Sequence, residues 1–164
     1  MSRGFVKEDD QEEAPIIPPR AALPAGETNY VTPNGLKELK EEEEKLIAER
    51  ANLDKENETE RRRAQAVIDG NLKLLRERIS TARVLDTKEQ PEDEVRFGAL
   101  VELKQNGNIQ KFQIVGVDEA DVKKQKIAFV APIAKAVTGK KVGDKIDFKL
   151  GEETRKLEIL KITY

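Results

Sequence analysis

The stretch that decides the fold is Asp54-Lys55-Glu56-Asn57-Glu58-Thr59-Glu60, an acidic run without apolar residues. It separates two stripes of apolar residues that recur in alternating steps of three and four, the spacing of one face of an α-helix. The first stripe contains Leu36, Leu39, Leu46 and Leu53, and the second contains Ile68, Leu72, Leu75, Ile79 and Ala82. The pattern predicts two long helices that fold back on each other across a negatively charged turn.

The first helix has a clear start, because Thr32 can cap it and Pro33 at the first helical position loses no hydrogen bond. Two positions of its stripe, Glu43 and Arg50, are charged. A dimer of such helices would bury unpaired charge, whereas the returning arm of the same chain can offer a Lys or Arg. We therefore expect an antiparallel coiled-coil hairpin with its turn at residues 57–59 and arms of roughly 35 to 40 Å. A dimeric coiled-coil scaffold is the alternative; we expect a monomer, which sedimentation would distinguish.

Composition excludes several kinds of site. The chain has 164 residues, 38% of them charged, with no Cys and no His. Disulfides, zinc thiolates, thiol nucleophiles and a histidine base are therefore excluded, and any metal would be a hard ion held by carboxylates. A net charge of −2 argues against nonspecific binding of duplex DNA, so nucleic-acid contact is expected only locally. No apolar stretch has the length of a signal peptide or membrane span, so we expect a cytoplasmic protein without membrane contact.

Three segments follow from the distribution of residue types. Residues 1–29 combine an acidic run with four prolines, so a disordered or extended tail is predicted, in which Ile16 and Ile17 could still dock. Residues 30–86 form the hairpin. Residues 87–164 change to the alternation of strands and predict an α+β fold with an antiparallel sheet and one short helix at 131–137. The expected strands are 97–104, 110–117, 126–130, 145–150 and 155–164, and core packing is expected of Phe97, Phe112, Phe129 and Phe148.

Five segments of the chain resemble a known family. They are Tyr-Val-Thr-Pro-Asn-Gly-Leu at 30–36, Val-Arg-Phe-Gly-Ala at 95–99, Ile-Val-Gly-Val-Asp-Glu-Ala-Asp at 114–121, Pro-Ile-Ala-Lys-Ala at 132–136 and Gly-Lys-Lys-Val-Gly-Asp at 139–144. Together they are similar to the Gre transcription elongation factors, GreA and GreB, over about residues 30–164. The resemblance implies a coiled-coil hairpin followed by a domain of FKBP-like fold.

The resemblance also implies a function. In that family the globular domain docks at the secondary channel of RNA polymerase, and the acidic tip of the hairpin helps to hold a second Mg²⁺ that hydrolyses backtracked RNA. Carried onto this chain, the assisting residues are Asp54 and Glu56, and the Mg²⁺ is shared with the polymerase rather than bound alone. The polymerase would remain the enzyme, and nascent RNA and DNA would be met only in the elongation complex.

Two further groups of residues take roles from this resemblance. Polymerase contact is implied for Asp121, Pro132, Ile133 and Lys135. Contact with RNA phosphates is one interpretation of Arg61, Arg62 and Arg63, since arginine forks suit phosphate, and neutralisation of the neighbouring acids is the other. Ala131 stands where the family usually has Ser, so one hydrogen bond is lost there.

The tip departs from the family pattern. The family reads Asp-Leu-x-Glu-Asn, whereas this chain reads Asn52-Leu53-Asp54-Lys55-Glu56-Asn57, with the acids two apart. Two residues apart on a helix they would point to nearly opposite sides, so two carboxylates would be brought together only by a non-helical turn or in the pairs Asp54/Glu58 and Glu56/Glu60. The hairpin is also about fifteen residues shorter, around two turns per arm. A non-cleaving regulator of the channel, similar to Rnk-type proteins, is therefore the alternative. Prolyl isomerase activity is disfavoured, because the aromatic residues are expected in the core.

Overall fold

The computed structural model describes residues 14–164 and shows a helical hairpin mounted on a five-stranded sheet. The hairpin consists of α1 (Pro33–Ala51) and α2 (Glu58–Thr81). Two short strands, β1 (Tyr30–Val31) and β2 (Arg83–Val84), pair in parallel where the chain enters and leaves the hairpin. The predicted fold class, a hairpin followed by an antiparallel β domain with one short helix, is confirmed, and the sheet proves to be mostly antiparallel.

Capping sets the ends of the hairpin helices. Thr32 Oγ1 accepts the N–H of Gly35 at 2.9 Å at the start of α1, and Asn57 Oδ1 accepts the N–H of Glu60 at 3.2 Å at the start of α2. The turn therefore occupies residues 52–57, so the prediction of a turn at 57–59 was wrong by several residues. Glu58 and Glu60 lie in the first helical turn instead, where the helix dipole favours carboxylates.

The seam of the hairpin is apolar with charged pairs at its rim. Leu39, Leu72 and Leu75 are buried, and Leu75 is fully inaccessible to solvent. Arg76 Nε donates to Glu43 Oε2 at 3.0 Å, and Arg50 Nε donates to Asp69 Oδ1 at 2.7 Å. Each charged seam residue of α1 thus meets an opposite charge on α2, as expected for a hairpin within one chain.

The five-stranded sheet has the order β5-β4-β3-β7-β6. Its strands are β3 (Leu100–Gln105), β4 (Asn108–Val115), β5 (Lys126–Ala128), β6 (Lys145–Leu150) and β7 (Glu153–Thr163), and α3 (Pro132–Val137) follows β5. Asn106 and Gly107, with φ of 48° and 87°, form the two-residue turn between β3 and β4. The sheet is not wholly antiparallel, because β5 pairs with β4 in parallel after a crossover through residues 116–125.

The core of the β domain lies between α3 and the sheet. Phe112 and Phe148 are buried there with Val101, Leu103, Ile114, Leu157 and Ile159. Phe97 and Phe129 lie outside the strands, contrary to the strand prediction, because residues 97–98 turn at Gly98 (φ 89°) and β5 ends at Ala128. Their rings pack against Tyr30, with centroid distances of 6.0 and 5.7 Å, and so join the hairpin to the sheet.

The described part of the N-terminal tail, residues 14–29, contains no helix or strand. Its side chains nevertheless contact the hairpin, as described below for Ile17 and Arg20. The acidic run at residues 8–13 lies outside the described residues. Among residues 14–164, no helix is long and apolar enough to cross a membrane.

Candidate functional site

The hairpin tip is an exposed, non-helical loop that holds both candidate carboxylates. Asp54 and Glu56 are exposed, and Asp54 Oδ1 accepts the backbone N–H of Glu56 at 2.9 Å. This hydrogen bond closes an Asx turn, which explains why the acids are not spread on opposite sides of a helix. The loop therefore brings the backbone N–H of Glu56 to the carboxylate of Asp54, the two residues predicted to act at the tip.

The tip alone does not complete a metal site. No cluster of three or more Asp, Glu, His or Cys side chains with the spacing of metal ligands is present in the region from Ala14 to Tyr164. Two exposed carboxylates provide the oxygen ligands that Mg²⁺ prefers, but too few to hold it tightly. The donor chemistry fits a Mg²⁺ ion whose other ligands come from a partner.

The three arginines that follow the tip lie near the start of α2, after Glu58, Thr59 and Glu60. Arg61 is half-buried, its guanidinium lies 3.9 Å from Glu58 Oε1, and it donates to Gln65 Oε1 at 3.3 Å. Arg62 and Arg63 are exposed. The helix therefore uses Arg61 to neutralise a neighbouring acid, while the phosphate interpretation of the three arginines stays a prediction.

The four predicted partner-contact residues lie on either side of β5. Asp121 caps a 3₁₀ turn, with Oδ1 accepting the N–H of Lys123 at 3.0 Å, and Ile133 packs against the sheet core. Pro132 and Lys135 are exposed, and Lys135 Nζ lies 3.8 Å from Glu27 Oε1. Two of the four side chains are thus engaged within the domain, and two are available to a partner.

The junction between hairpin and sheet was missed by the sequence interpretation. Asp118 and Glu119 look like a polar turn after a strand, yet their side chains are only 6% and 3% exposed. Asp118 Oδ2 accepts from Arg78 of α2 at 3.1 Å. Glu119 accepts from Thr32 at 2.5 Å and from Asn34 at 3.0 Å, both at the start of α1. Asp118 therefore binds the second hairpin helix, and the adjacent Glu119 binds the start of the first.

Two glycines make room for this junction. A Cβ at Gly35 would lie 2.8 Å from Glu119 Oε1, and a Cβ at Gly116 would lie 2.5 Å from the carbonyl oxygen of Tyr30. A side chain at either position would therefore push the sheet away from the hairpin. The signal available in the sequence was the placement of Gly116, Asp118 and Glu119 directly after an apolar strand.

Comparison with known proteins identifies the family. A family model described as "Transcription elongation factor, GreA/GreB, C-term" matches residues 90–164. The transcription elongation factor GreA of Thermodesulfovibrio yellowstonii is 34% identical over 151 residues, covering 82% of this chain and 96% of the relative. The chain belongs to the GreA/GreB family of transcription elongation factors.

One further GreA sequence and two solved structures are also similar to this chain. GreA of Acidiphilium cryptum is 39% identical over 105 residues, covering 63% of this chain and 67% of that protein. The structure of GreA factor homolog 1 (Gfh1) of Thermus thermophilus covers 84% of this chain and 100% of its own, with 21% identity and a TM-score of 0.39. A GreA/GreB structure from Nitrosomonas europaea covers 84% of this chain and 99% of its own, with 20% identity and a TM-score of 0.41.

Proposed function

We propose that this Gre-family chain binds RNA polymerase at its secondary channel and stimulates cleavage of backtracked RNA through Asp54 and Glu56. The observation that carries the proposal is the exposed acidic loop at the end of the hairpin. With 19 and 24 residues, the two helices span about 28 and 36 Å. A projection of this length can enter a channel that a compact domain would not fit.

The tip residues would act as an incomplete set of ligands. Asp54 and Glu56 offer carboxylate oxygens from a loop that the Asx turn keeps compact. When bound, Mg²⁺ would stabilise charge on the phosphoryl oxygens and lower the pKa of a coordinated water. The chain supplies ligands and orientation, so it assists the hydrolysis catalysed by the polymerase and is not itself the enzyme.

The β domain would dock at the rim of the channel. Pro132 and Lys135 are exposed on α3, whereas Asp121 and Ile133 shape that surface from within. Arg61, Arg62 and Arg63 would meet phosphates of nascent RNA or DNA only inside the elongation complex. The proposed form is a monomer, because the charged seam residues already have partners within the hairpin. The proposed location is the cytoplasm.

Cleavage of RNA in stalled, backtracked elongation complexes tests the proposal. We expect Mg²⁺-dependent shortening of the transcript with wild type and at least a tenfold slower reaction with Asp54→Ala/Glu56→Ala. Glu152→Ala/Glu153→Ala removes two exposed acids, one from the turn between β6 and β7 and one from the first position of β7, and serves as the matched control. Equal cleavage by wild type and the tip variant would contradict the role of the tip.

A second candidate is a regulator that occupies the channel without promoting cleavage. It is favoured by the shortness of the hairpin, whose first helix spans about 28 Å, because a short projection limits how far the tip reaches into a channel. It is also favoured by Asp54, which already uses one oxygen for its own turn. Binding to polymerase without any transcript shortening by wild type would select this candidate.

A further inference from the structure

Residues 15–21 lie along the hairpin and are named the strap here. Ile17 contacts α2 at Gly70, Arg20 bonds to Glu42 of α1 and to Asp118, and the carbonyl of Ala21 accepts from Arg78. The strap thus runs from the middle of α2 towards the junction with the sheet. It touches both hairpin helices and the β domain.

The helix has a glycine where the strap crosses it. Gly70 lies in the interior of α2, where glycine costs about 1 kcal/mol of stability relative to alanine. A Cβ at this position would lie 2.6 Å from both Cγ1 and Cδ1 of Ile17. Any larger residue at position 70 would force the Ile17 side chain to move, so the surface of α2 accommodates this segment through its glycine.

Arg20 is the polar anchor of the strap. Its Nε donates to Asp118 Oδ1 at 2.9 Å and its Nη1 donates to Glu42 Oε2 at 2.6 Å. Burial lowers the pKa of Arg20, but the hydrogen bonds and charges of Glu42 and Asp118 outweigh it and raise the pKa above its ordinary value. The guanidinium therefore stays charged and bound to both carboxylates.

The strap can dissociate from the hairpin without leaving a buried charge unpaired. Asp118 keeps its bond to Arg78 when Arg20 departs, so the buried carboxylate is not left without a cation. The strap has no strand pairing, and a cavity lined by Pro18, Pro19, Leu46 and Leu74 remains beneath it. Its release breaks the contact of Ile17 with α2 and the hydrogen bonds made by Arg20 and by the carbonyl of Ala21.

We propose that the strap occupies a docking groove on the hairpin and is released when the hairpin enters the polymerase channel. This inference rests on the proposed function. A bound strap thickens the hairpin across α1 and α2, so a narrow channel would favour the conformation without it. Residues 15–21 are then an intramolecular ligand that lowers the affinity of the chain for its partner.

An engineered disulfide tests the strap, since the chain has no cysteine of its own. The Cγ1 atom of Ile17 lies 2.6 Å from a Cβ built at Gly70. The Cβ of Ile17 is one bond further along, and it is not among the three nearest atoms, the last of which is Cγ2 at 3.6 Å. Ile17→Cys/Gly70→Cys therefore places the two Cβ atoms within the roughly 3.5 to 4.5 Å that a disulfide requires. We expect the bond to form under native conditions and not in urea; failure to form under native conditions would contradict the docked strap.

Polymerase binding is then measured in both redox states of this variant. We expect the oxidised protein to bind at least tenfold more weakly than the reduced protein, with the affinity restored by dithiothreitol. Equal affinity of the two forms would overturn release of the strap while leaving the proposed function intact. Absence of binding in both forms and in wild type would overturn the proposed function and the release step together.

A substitution that loosens the strap should act in the opposite direction. We expect Arg20→Ala to bind polymerase at least twofold more tightly than wild type, because the docked conformation loses its anchor. Arg155→Ala is the matched control, since Arg155 pairs only with Glu153 on its own strand among the described residues. Unchanged or weaker binding by Arg20→Ala would contradict the proposal.

Discussion

Glu119 of the β domain accepts a hydrogen bond from Thr32, the residue that caps the first helix of the hairpin, at 2.5 Å. The two residues are 87 positions apart in the chain. Thr32 Oγ1 also accepts the N–H of Gly35, so one hydroxyl links the helix cap to the buried carboxylate. Lys126 donates to the other oxygen of Glu119 at 3.1 Å and completes the network.

Replacing Glu119 by Gln should weaken this network. The amide is neutral, so Lys126 loses its charged partner and the start of α1 loses a favourable negative charge. We expect a loss of about 1 to 3 kcal/mol in the free energy of unfolding, measured by urea denaturation. Glu152→Gln, at an exposed turn, should change it by less than about 0.5 kcal/mol. Similar values for both variants would contradict the structural role of Glu119.

Gly35→Ala should destabilise the protein although alanine is the better helix former. The new methyl group would lie 2.8 Å from Glu119 Oε1 and 3.3 Å from Thr32 Oγ1, so the buried contact must open. We expect a loss of about 1 kcal/mol or more. In a Glu119→Ala background the same substitution should be neutral or stabilising, and thermal unfolding of the four variants measures this coupling.

Ala131→Ser should stabilise the protein. Ala131 occupies the cap position of α3 in extended conformation and makes no side-chain hydrogen bond there. A serine hydroxyl could accept a backbone N–H in the first turn and should add about 0.5 to 1 kcal/mol to the free energy of unfolding. Ala131→Val, which lacks the hydroxyl, is the control. A gain with valine equal to that with serine would show that capping is not the cause.

Tyr164 should make stability depend on pH in the alkaline range. Its hydroxyl donates to the carbonyl of Glu94 at 2.6 Å, and burial raises its pKa above the ordinary value of 10.0. The folded state therefore holds the phenolic proton more tightly, so this contribution is fully present below about pH 10 and is lost as the pH rises through the folded pKa. Urea denaturation above pH 10 should show a steeper decline for wild type than for Tyr164→Phe. An equal decline in stability with pH for wild type and Tyr164→Phe would contradict the raised pKa of Tyr164.

Leu75→Ala should destabilise the hairpin, which is formed within one chain. Leu75 is fully buried between the helices, so its truncation should cost about 2 to 5 kcal/mol. Ile47→Ala, on the exposed side of α1 with 46% of its surface accessible, should cost less than about 1 kcal/mol. Sedimentation at micromolar concentration should show a monomer for wild type. A stable dimer lost on replacing Leu72 and Leu75 would support the scaffold alternative instead.

Local patterns were sufficient for most of the fold. The stripes containing Leu39 and Leu75 and the cap at Thr32 each act over a few residues, and the structure shows the elements that they predict. The parallel pairing of β5 with β4 was not predictable in this way, since it depends on a crossover rather than on alternation.

The junction and the Arg20 contacts of the strap escaped prediction for a related reason, whereas docking was suggested for Ile16 and Ile17 and is seen for Ile17. Asp118 and Glu119 gain their roles from partners such as Arg20 and Thr32, which lie 98 and 87 positions away. No periodic pattern signals a contact of that separation, and a pair of acids after a strand equally suits a solvated turn. At the tip, the acidic composition was evident, but the Asx turn of Asp54 that sets its geometry was not.

The aromatic contact of Tyr30 with Phe97 and Phe129 has a mechanical consequence. Together with the two carboxylates, it secures the foot of a lever about 36 Å long. At that length a tilt of about five degrees at the foot would swing the far end by about 3 Å, more than a metal–oxygen bond. In the proposed role in cleavage, the position of the tip therefore depends on the rigidity of rings and carboxylates that lie far from it.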